Sequence, residues 1–309
     1  MPTTAHNPPE KIERDPLLAL AMGDISGVLA FVIRTEGPSY RAVGAAMVFH
    51  CDGAQTGSLS SGCIEADLAL HAKKVQATNT PLRIIYGNGS PFMDIQLPCG
   101  GGLEVLLLPQ PHTDELALIA KVVIHRRPLD IAISLETGRI TENLPSGTGI
   151  SSNYFNHQII APLCFVVFGK GPEAVTFAKL VHSLGYSGTL VSPDQDTINS
   201  AQIAGCTTCE ILHPKCPNDI ALDDRTAVVC FFHDHDWEAP ILSDILDRKM
   251  FYIGCQGSKQ TSVNRLAELE RLGVSRQNRQ KVRGPIGIIP SVRDSNTLAV
   301  SVLAEVLSI

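Results

Sequence analysis

Hydrophobic positions fall in short blocks through the first half of the chain and in longer blocks with helical spacing through the second. Gly27 to Arg34 and Ala45 to His50 are β-rich apolar runs punctuated by Gly and Pro, and both predict strands. A loop of small residues, Gly57 to Gly62, follows, and Cys63 to Gln76 predicts a helix. Leu82 to Tyr86 and Leu103 to Leu108 predict further strands, with a helix over Asp114 to His125. The half mixes strands and helices without regular alternation, which predicts a mixed α+β domain over 16–135. Residues 136–161 turn polar and rich in Gly, Ser and Asn, the composition of a linker or of short edge strands.

From Pro162 the pattern changes. The stretch LCFVVFGKGPEAVTFAKLVHSLGYSGTLVSPD gives a strand, a glycine turn, a helix with apolar residues at helical spacing, a second strand and a terminal Asp194. Gly169, Gly171 and Ala174 make G-x-G-x-x-A between strand and helix, the arrangement that lets a dinucleotide pyrophosphate approach bare backbone, with an acid placed for a ribose hydroxyl. The chain is therefore expected to be α/β overall, with a Rossmann-like parallel-sheet domain over 162–309. Pro172 removes one of the amides a phosphate would use, so NAD(P) stays an open reading beside a fold without that cofactor.

Length and composition narrow the function. The chain has 309 residues, 44% hydrophobic and 18% charged, enough for two domains at roughly 100–200 residues each. A net charge of −6 and no Lys/Arg-rich run exclude a general nucleic-acid binder. No apolar run approaches the ~18–20 residues of a membrane span. The polar opening, residues 1–15, reads as a disordered leader, and the protein is expected to be cytoplasmic. Nine cysteines, an odd number, form no secreted disulfide framework.

Several clusters carry candidate chemistry. In GSLSSGCIEADL, Cys63 sits where a flexible loop meets a helix start, with Gly62 before it and Glu65 after it. Unpaired amides at a helix start favour a thiolate or a phosphate, so Cys63 is either a reactive sulfur, one wall of an anion pocket, or an inert cysteine. In LPCGGGLEV, Cys99 precedes Gly100, Gly101 and Gly102 and the strand residue Glu104, where a large ligand reaches backbone or a tight turn simply packs. His233, Asp234, His235 and Asp236 follow a strand, Ala227 to Phe232, at the kind of strand end where doubly wound folds bind ligands. Metal binding, proton transfer and a polar loop capped by Asp236 all fit that run. Cys206, Cys209, His213 and Cys216 offer four zinc-ligand types at cramped spacing, against ordinary strand and loop cysteines. Gly257 and Ser258 open another phosphate-friendly helix start, with Lys259 just inside it.

Taken in order, VIRTEGPSYRAVGAAMVFHCDGAQTGSLSSGCIEADL, LPCGGGLEV, FGKGPEA, HDHDWEAPIL, YIGCQGSKQTSVNRL and the C-terminal LAVSVLAEVL resemble the XdhC/CoxI family, accessory proteins of molybdenum hydroxylases such as xanthine dehydrogenase. The resemblance implies a molybdenum cofactor chaperone, in the molybdopterin or the dinucleotide form, that protects the cofactor, supports its sulfuration by a cysteine desulfurase and delivers it to the hydroxylase apoenzyme. It implies an accessory factor without turnover, expected to be a homodimer. Carried over by position, Cys63 and Cys99 would hold the metal end, with Gly62, Glu65, Gly100 and Gly101 around them. Gly169, Gly171, Asp194, Gly257 and Ser258 would lie near a nucleotide or phosphate, and His233, Asp234 and His235 in a cleft between the domains. The chain departs from the family pattern at Pro172, where a histidine is usual, and at Lys259-Gln260, where two arginines are usual. Two rivals remain: an NAD(P)-dependent oxidoreductase, and a sulfurtransferase carrying a persulfide on Cys63.

Overall fold

Strand β1, Gly27–Glu36, is buried over its first seven residues, so both of its faces must be covered. The computed structural model describes residues 15–60, 62–87, 100–232 and 235–309. The chain divides into two units, one ending at Ala161 and the other spanning Pro162–Ile309.

The N-terminal unit opens with helix α1, Pro16–Ala21, before β1. Strands β2, Ala46–His50, and β3, Gln55–Gly57, lead to helix α2, Glu65–Thr78. Strands β4, Leu82–Gly87, and β5, Gly102–Leu108, complete a five-stranded antiparallel sheet in the order β3-β2-β1-β5-β4. Alternate side chains of β1 serve opposite layers. Val28, Ala30 and Val32 pack with Leu68, Ala72 and Val75 of α2. Leu29, Phe31 and Ile33 face the other way, toward α1 and helix α3, Thr113–His125. At about 1.5–3 kcal/mol for each large apolar side chain fully buried, the two layers hold β1 at the centre of the unit.

Residues 136–161, read as a linker or short edge strands, carry strands of a second sheet. Strand β6, Leu129–Ser134, pairs with β7, Ile140–Glu142, and with β9, Tyr154–Ile159, which in turn pairs with β8, Gly149–Ser151. This four-stranded antiparallel sheet packs on the first through Phe155, whose ring centroid lies 5.8 Å from that of Phe31. Glu115 ties it to α3: one carboxylate oxygen accepts from the His112 amide in a capping box, at 2.7 Å, and the other from the Ile140 amide at 2.7 Å.

The C-terminal unit is a parallel sheet of β10, Cys164–Gly169, β11, Ser187–Ser192, β12, Thr207–Glu210, β13, Thr226–Phe231, and β14, Tyr252–Cys255, in the order β12-β11-β10-β13-β14. That order is the Rossmann arrangement, with the reversal falling at β10. Helices α4, Pro172–Ser183, and α5, Gln195–Ile203, connect the first three strands. Helix α6, His235–Ile245, precedes β14, and α7, Lys259–Arg271, α8, Arg276–Arg279, and α9, Ser295–Leu307, follow it. One face of the sheet packs on α4 and α9 through Phe165, Phe177, Phe231 and Val302. The other packs on α6 and α7 through Phe168, Ile241, Ile245 and Leu269. Asp236 lies inside the first turn of α6, one residue after its start, and so is not the cap expected of it. Among the described residues no helix is long and apolar enough to cross a membrane.

Candidate functional site: the Cys63 loop

The loop after β3 folds around a buried carboxylate. Glu65 Oε1 accepts from the Ser60 amide at 2.8 Å, the Leu59 amide at 3.3 Å and the Ser58 hydroxyl at 3.2 Å. Its Oε2 accepts from the Ser60 hydroxyl and, at 3.2 Å, from the Ile64 amide. Every partner is a donor, which suits an ionised carboxylate, an acceptor only. Burial alone would raise its pKa, but the Ser60 hydroxyl and the amides around it outweigh burial, and the carboxyl is held below the usual range. The Ser60 oxygen in turn accepts from the amides of Gly62, at 3.2 Å, and Cys63, at 3.0 Å. Gly62 takes φ of +95°, and a Cβ there would meet nothing within 4 Å, so the backbone turn itself calls for glycine. The result is an exposed Cys63 on a loop pinned from beneath.

Helix α2 begins two residues later than the sequence pattern predicts. Ile64 is its N-cap and makes no side-chain capping bond, and the first turn carries Glu65 and Asp67. Two carboxylates therefore already complement the positive helix end. Asp67 accepts from the hydroxyl of fully buried Tyr86 at 2.6 Å. Burial, followed by that bond, pushes the Tyr86 pKa far up, so the phenol stays protonated.

Strand register brings two expected loops to one end of the sheet. Gly57 at the close of β3 pairs with Met47 near the start of β2. The start of β2 lies beside the middle of β1, Ala46 pairing with Phe31, and the rest of β1 runs on toward Glu36, which pairs with Gly102 at the start of β5. The Cys63 loop and the Gly100–Gly101 approach to β5 thus leave from the same end. Gly101 is irreplaceable there: a Cβ would lie 2.2 Å from the Pro38 carbonyl oxygen and 2.7 Å from that of Glu36. Gly100 is exposed, with φ of +69°. Cys99 lies outside the described residues, as do His233 and Asp234, while His235 opens α6. Glu104, behind this loop on β5, is buried and accepts from Arg83 Nε at 2.8 Å.

Sequence reasoning missed Arg41. Its Nε donates to the Ser58 carbonyl at 3.0 Å, fastening the β1–β2 connection to the Cys63 loop. The available signal was an arginine inside a Pro- and Gly-containing connection between two strands, where a cation has no helix face to solvate it.

The glycine turn of the second unit is engaged internally. The Gly171 amide donates to Thr197 Oγ1 at 2.9 Å. Asp194 caps α5, accepting from the Thr197 amide at 2.9 Å and from its hydroxyl at 2.5 Å. Those two bonds, the hydroxyl first, hold the Asp194 carboxyl below its ordinary value. The Asp-x-x-Thr spacing is an N-cap signal that the sequence carried alongside the ribose-acid reading. Gly169 answers to packing, because a Cβ would sit 2.7 Å from the Phe231 carbonyl oxygen and 3.0 Å from Ala174 Cβ. Ser258 likewise caps α7, its hydroxyl accepting from the Thr261 amide at 3.1 Å, and Gly257 crowds Thr261.

The zinc reading of the β12 region finds no support. Among the described residues no three His, Cys, Asp or Glu side chains converge as a metal set. Burial raises the pKa of Cys206 and Cys209, and takes that of Cys216 to about 11, which keeps the three as thiols.

An exposed cysteine on a carboxylate-pinned loop of an antiparallel α+β unit, followed by a parallel Rossmann unit, defines a two-unit architecture. Family comparison gives it a name. Residues 22–87 match the XdhC and CoxI family, and residues 165–306 match the XdhC Rossmann domain. The molybdenum cofactor insertion chaperone PaoD of Escherichia coli (strain K12) is 32% identical over 290 residues, covering 93% of this chain and 85% of PaoD. A probable xanthine dehydrogenase subunit from Bacillus subtilis (strain 168) is 22% identical over 330 residues, covering 94% of each chain. A crystal structure described as a xanthine dehydrogenase from Bacillus halodurans shares the fold, with a TM-score of 0.74, 22% identity and 94% coverage of both chains. The protein belongs to the XdhC/CoxI family.

Proposed function

We propose that this protein is a molybdenum cofactor chaperone that holds the cofactor, supports its sulfuration and delivers it to a hydroxylase of the xanthine dehydrogenase type. The observation that carries the reading is Cys63: an exposed sulfur on a loop fixed by Glu65, leaving the sheet at the end from which Gly100 and Gly101 enter β5. Molybdenum and its dithiolene sulfurs are soft partners for thiolate, and bare glycine backbone lets a bulky heterocycle come close. Cys63 and Cys99 are the proposed sulfur contacts of the metal end. Glu65 positions the loop, since both of its oxygens are already engaged there. The name of PaoD, a relative over most of the chain, supports the same cargo.

The cofactor is cargo, so no bond in it need be made or broken by this chain for holding and delivery. Sulfuration would require a desulfurase partner to supply the sulfur, with this chain keeping the metal end accessible. A cytoplasmic homodimer is part of the proposal. The Rossmann unit serves here as a scaffold: Gly171 and Asp194 spend their polar groups on Thr197, which disfavours the NAD(P) reading.

Titration of the purified protein with molybdenum cofactor, followed by the cofactor's absorption, tests this. Saturable binding that weakens at least tenfold in Cys63→Ala is expected, the scale of one lost strong contact. Equal binding by wild type and variant would remove Cys63 from the site, and no binding by either would end the chaperone reading.

A further inference from the structure

The N-terminal unit contains a cavity of about 560 Å³ that the Cys63 loop borders but does not explain. Its lining includes Arg41, Gly44, Gly57, His157 and Asp15. A volume of this size accommodates a small organic ligand rather than a bare ion. Arg41 is half-buried, and its one side-chain bond runs from Nε to the Ser58 carbonyl. Among the described residues no carboxylate pairs with it, and no acceptor takes the four N–H groups of its two terminal nitrogens. Neither terminal nitrogen is among the buried atoms that lack a partner, so both stay open to the cavity and to water, and a ligand anion there exchanges hydration for paired hydrogen bonds without first stripping a buried charge. His157, whose pKa burial lowers so that the neutral imidazole is favoured, has a buried Nδ1 with no partner, lying against Gly44, where a Cβ would come within 2.8 Å. Asp15 is the one acid in the lining, and its Oδ1 is occupied by the amides of Leu17 and Leu18 at 3.0 and 3.1 Å.

We infer that this cavity is a binding site for a phosphate ester, with the terminal nitrogens of Arg41 pairing with the phosphate oxygens. A planar guanidinium presents its remaining donors as a fork that matches phosphate, and a cavity with room beyond the anion takes the organic group of the ester. The inference relocates phosphate recognition. The helix starts at Gly171 and Ser258 lend their donors and caps to Thr197 and Thr261, whereas Arg41 retains its own. Because Arg41 is bonded to Ser58, a phosphate held there is anchored to the same loop that presents Cys63. Resting on the chaperone reading, the ester would be the phosphate of the pterin cofactor; a free nucleotide offers the same chemistry.

The test uses the full chain and three probes, inorganic phosphate, CMP and molybdenum cofactor, titrated calorimetrically against wild type, Arg41→Gln and Arg41→Lys. Circular dichroism melting establishes that the variants fold, and Arg41→Lys, which keeps the charge, stands in should Arg41→Gln fail. Salt-sensitive CMP binding is expected, weakened about tenfold or more in Arg41→Gln and partly retained in Arg41→Lys, the scale of a lost charge-assisted hydrogen bond. Phosphate-ester binding that is absent from wild type, or identical in both folded variants, overturns the inference. Cofactor binding that depends on Cys63 but not on Arg41 overturns it while leaving the chaperone reading intact. Arg41-dependent CMP binding without cofactor binding supports the site and identifies a nucleotide as its ligand.

Discussion

Ser60 gives both its amide and its hydroxyl to the carboxylate of Glu65, so the residue that opens α2 also builds the loop before it. The pair converts a run of small residues into a fixed shelf for Cys63. Exchanging the carboxylate for an amide places an NH₂ group against donors. Glu65→Gln is expected to destabilise the N-terminal unit by about 1–3 kcal/mol, the cost of leaving buried hydrogen-bonding groups unmatched. Urea unfolding checks the stability, and faster thiol labelling of Cys63 would report the loosened loop.

The same carboxylate sets a pH dependence. Its folded-state pKa lies below the ordinary value of 4.5, so its contribution is complete above that value and is lost as pH falls through the lower folded pKa. Wild type is expected to lose stability on acidification below about pH 4.5, and Glu65→Gln to show a flatter acid limb. Parallel acid limbs in the two proteins would contradict the assignment.

Cys63 itself contributes little to folding. Because the side chain is exposed, Cys63→Ala should stay within roughly 0.5 kcal/mol of wild type in urea unfolding. A larger loss would mean that the cysteine is structural, and any binding defect of the variant would need to be read accordingly.

Asp194 acts as a helix cap. Asp194→Ala is expected to destabilise the C-terminal unit by about 0.5–2 kcal/mol, the usual cost of losing such a cap. NADH titration of wild type is expected to show no saturable fluorescence change. Tight NADH binding abolished by Asp194→Ala would restore the ribose reading.

Glu238 and Arg265 form a buried pair, 2% and 1% exposed, with Nε to Oε1 at 2.5 Å and a further bond from Arg265 to the Gln256 carbonyl at 2.6 Å. Removing one partner strands a buried charge. Glu238→Ala should cost about 3–5 kcal/mol by chemical unfolding, far more than an exposed pair. A loss below about 1 kcal/mol would show that the site relaxes or admits water.

The parts legible in the sequence were those whose signal is local. Apolar runs located β1, β2, β4 and β5 to within two residues, and the strand–glycine–helix order located the Rossmann unit, because burial on a strand or helix face imposes a period that the chain displays directly. Of the second sheet, only its short edge strands were offered by the sequence, as an alternative to a linker, and its inner strands β6 and β9 were not legible. Its three-residue strands β7 and β8 are too short to show alternation, and their apolar content is supplied by packing against Phe31 and α3, distant in sequence.

What the sequence by itself determined is the pair of units, the glycine turns and the position of Cys63 between a loop and a helix. Only the tertiary structure decided what each polar group is used for. Glu65 became a loop anchor, Asp194 a cap, and Arg41 a half-buried cation facing a cavity, because hydrogen bonding is settled by which donors and acceptors the folded backbone brings within 3 Å or so of one another. Residue type fixes how many bonds a side chain can make, but long-range strand pairing fixes with whom.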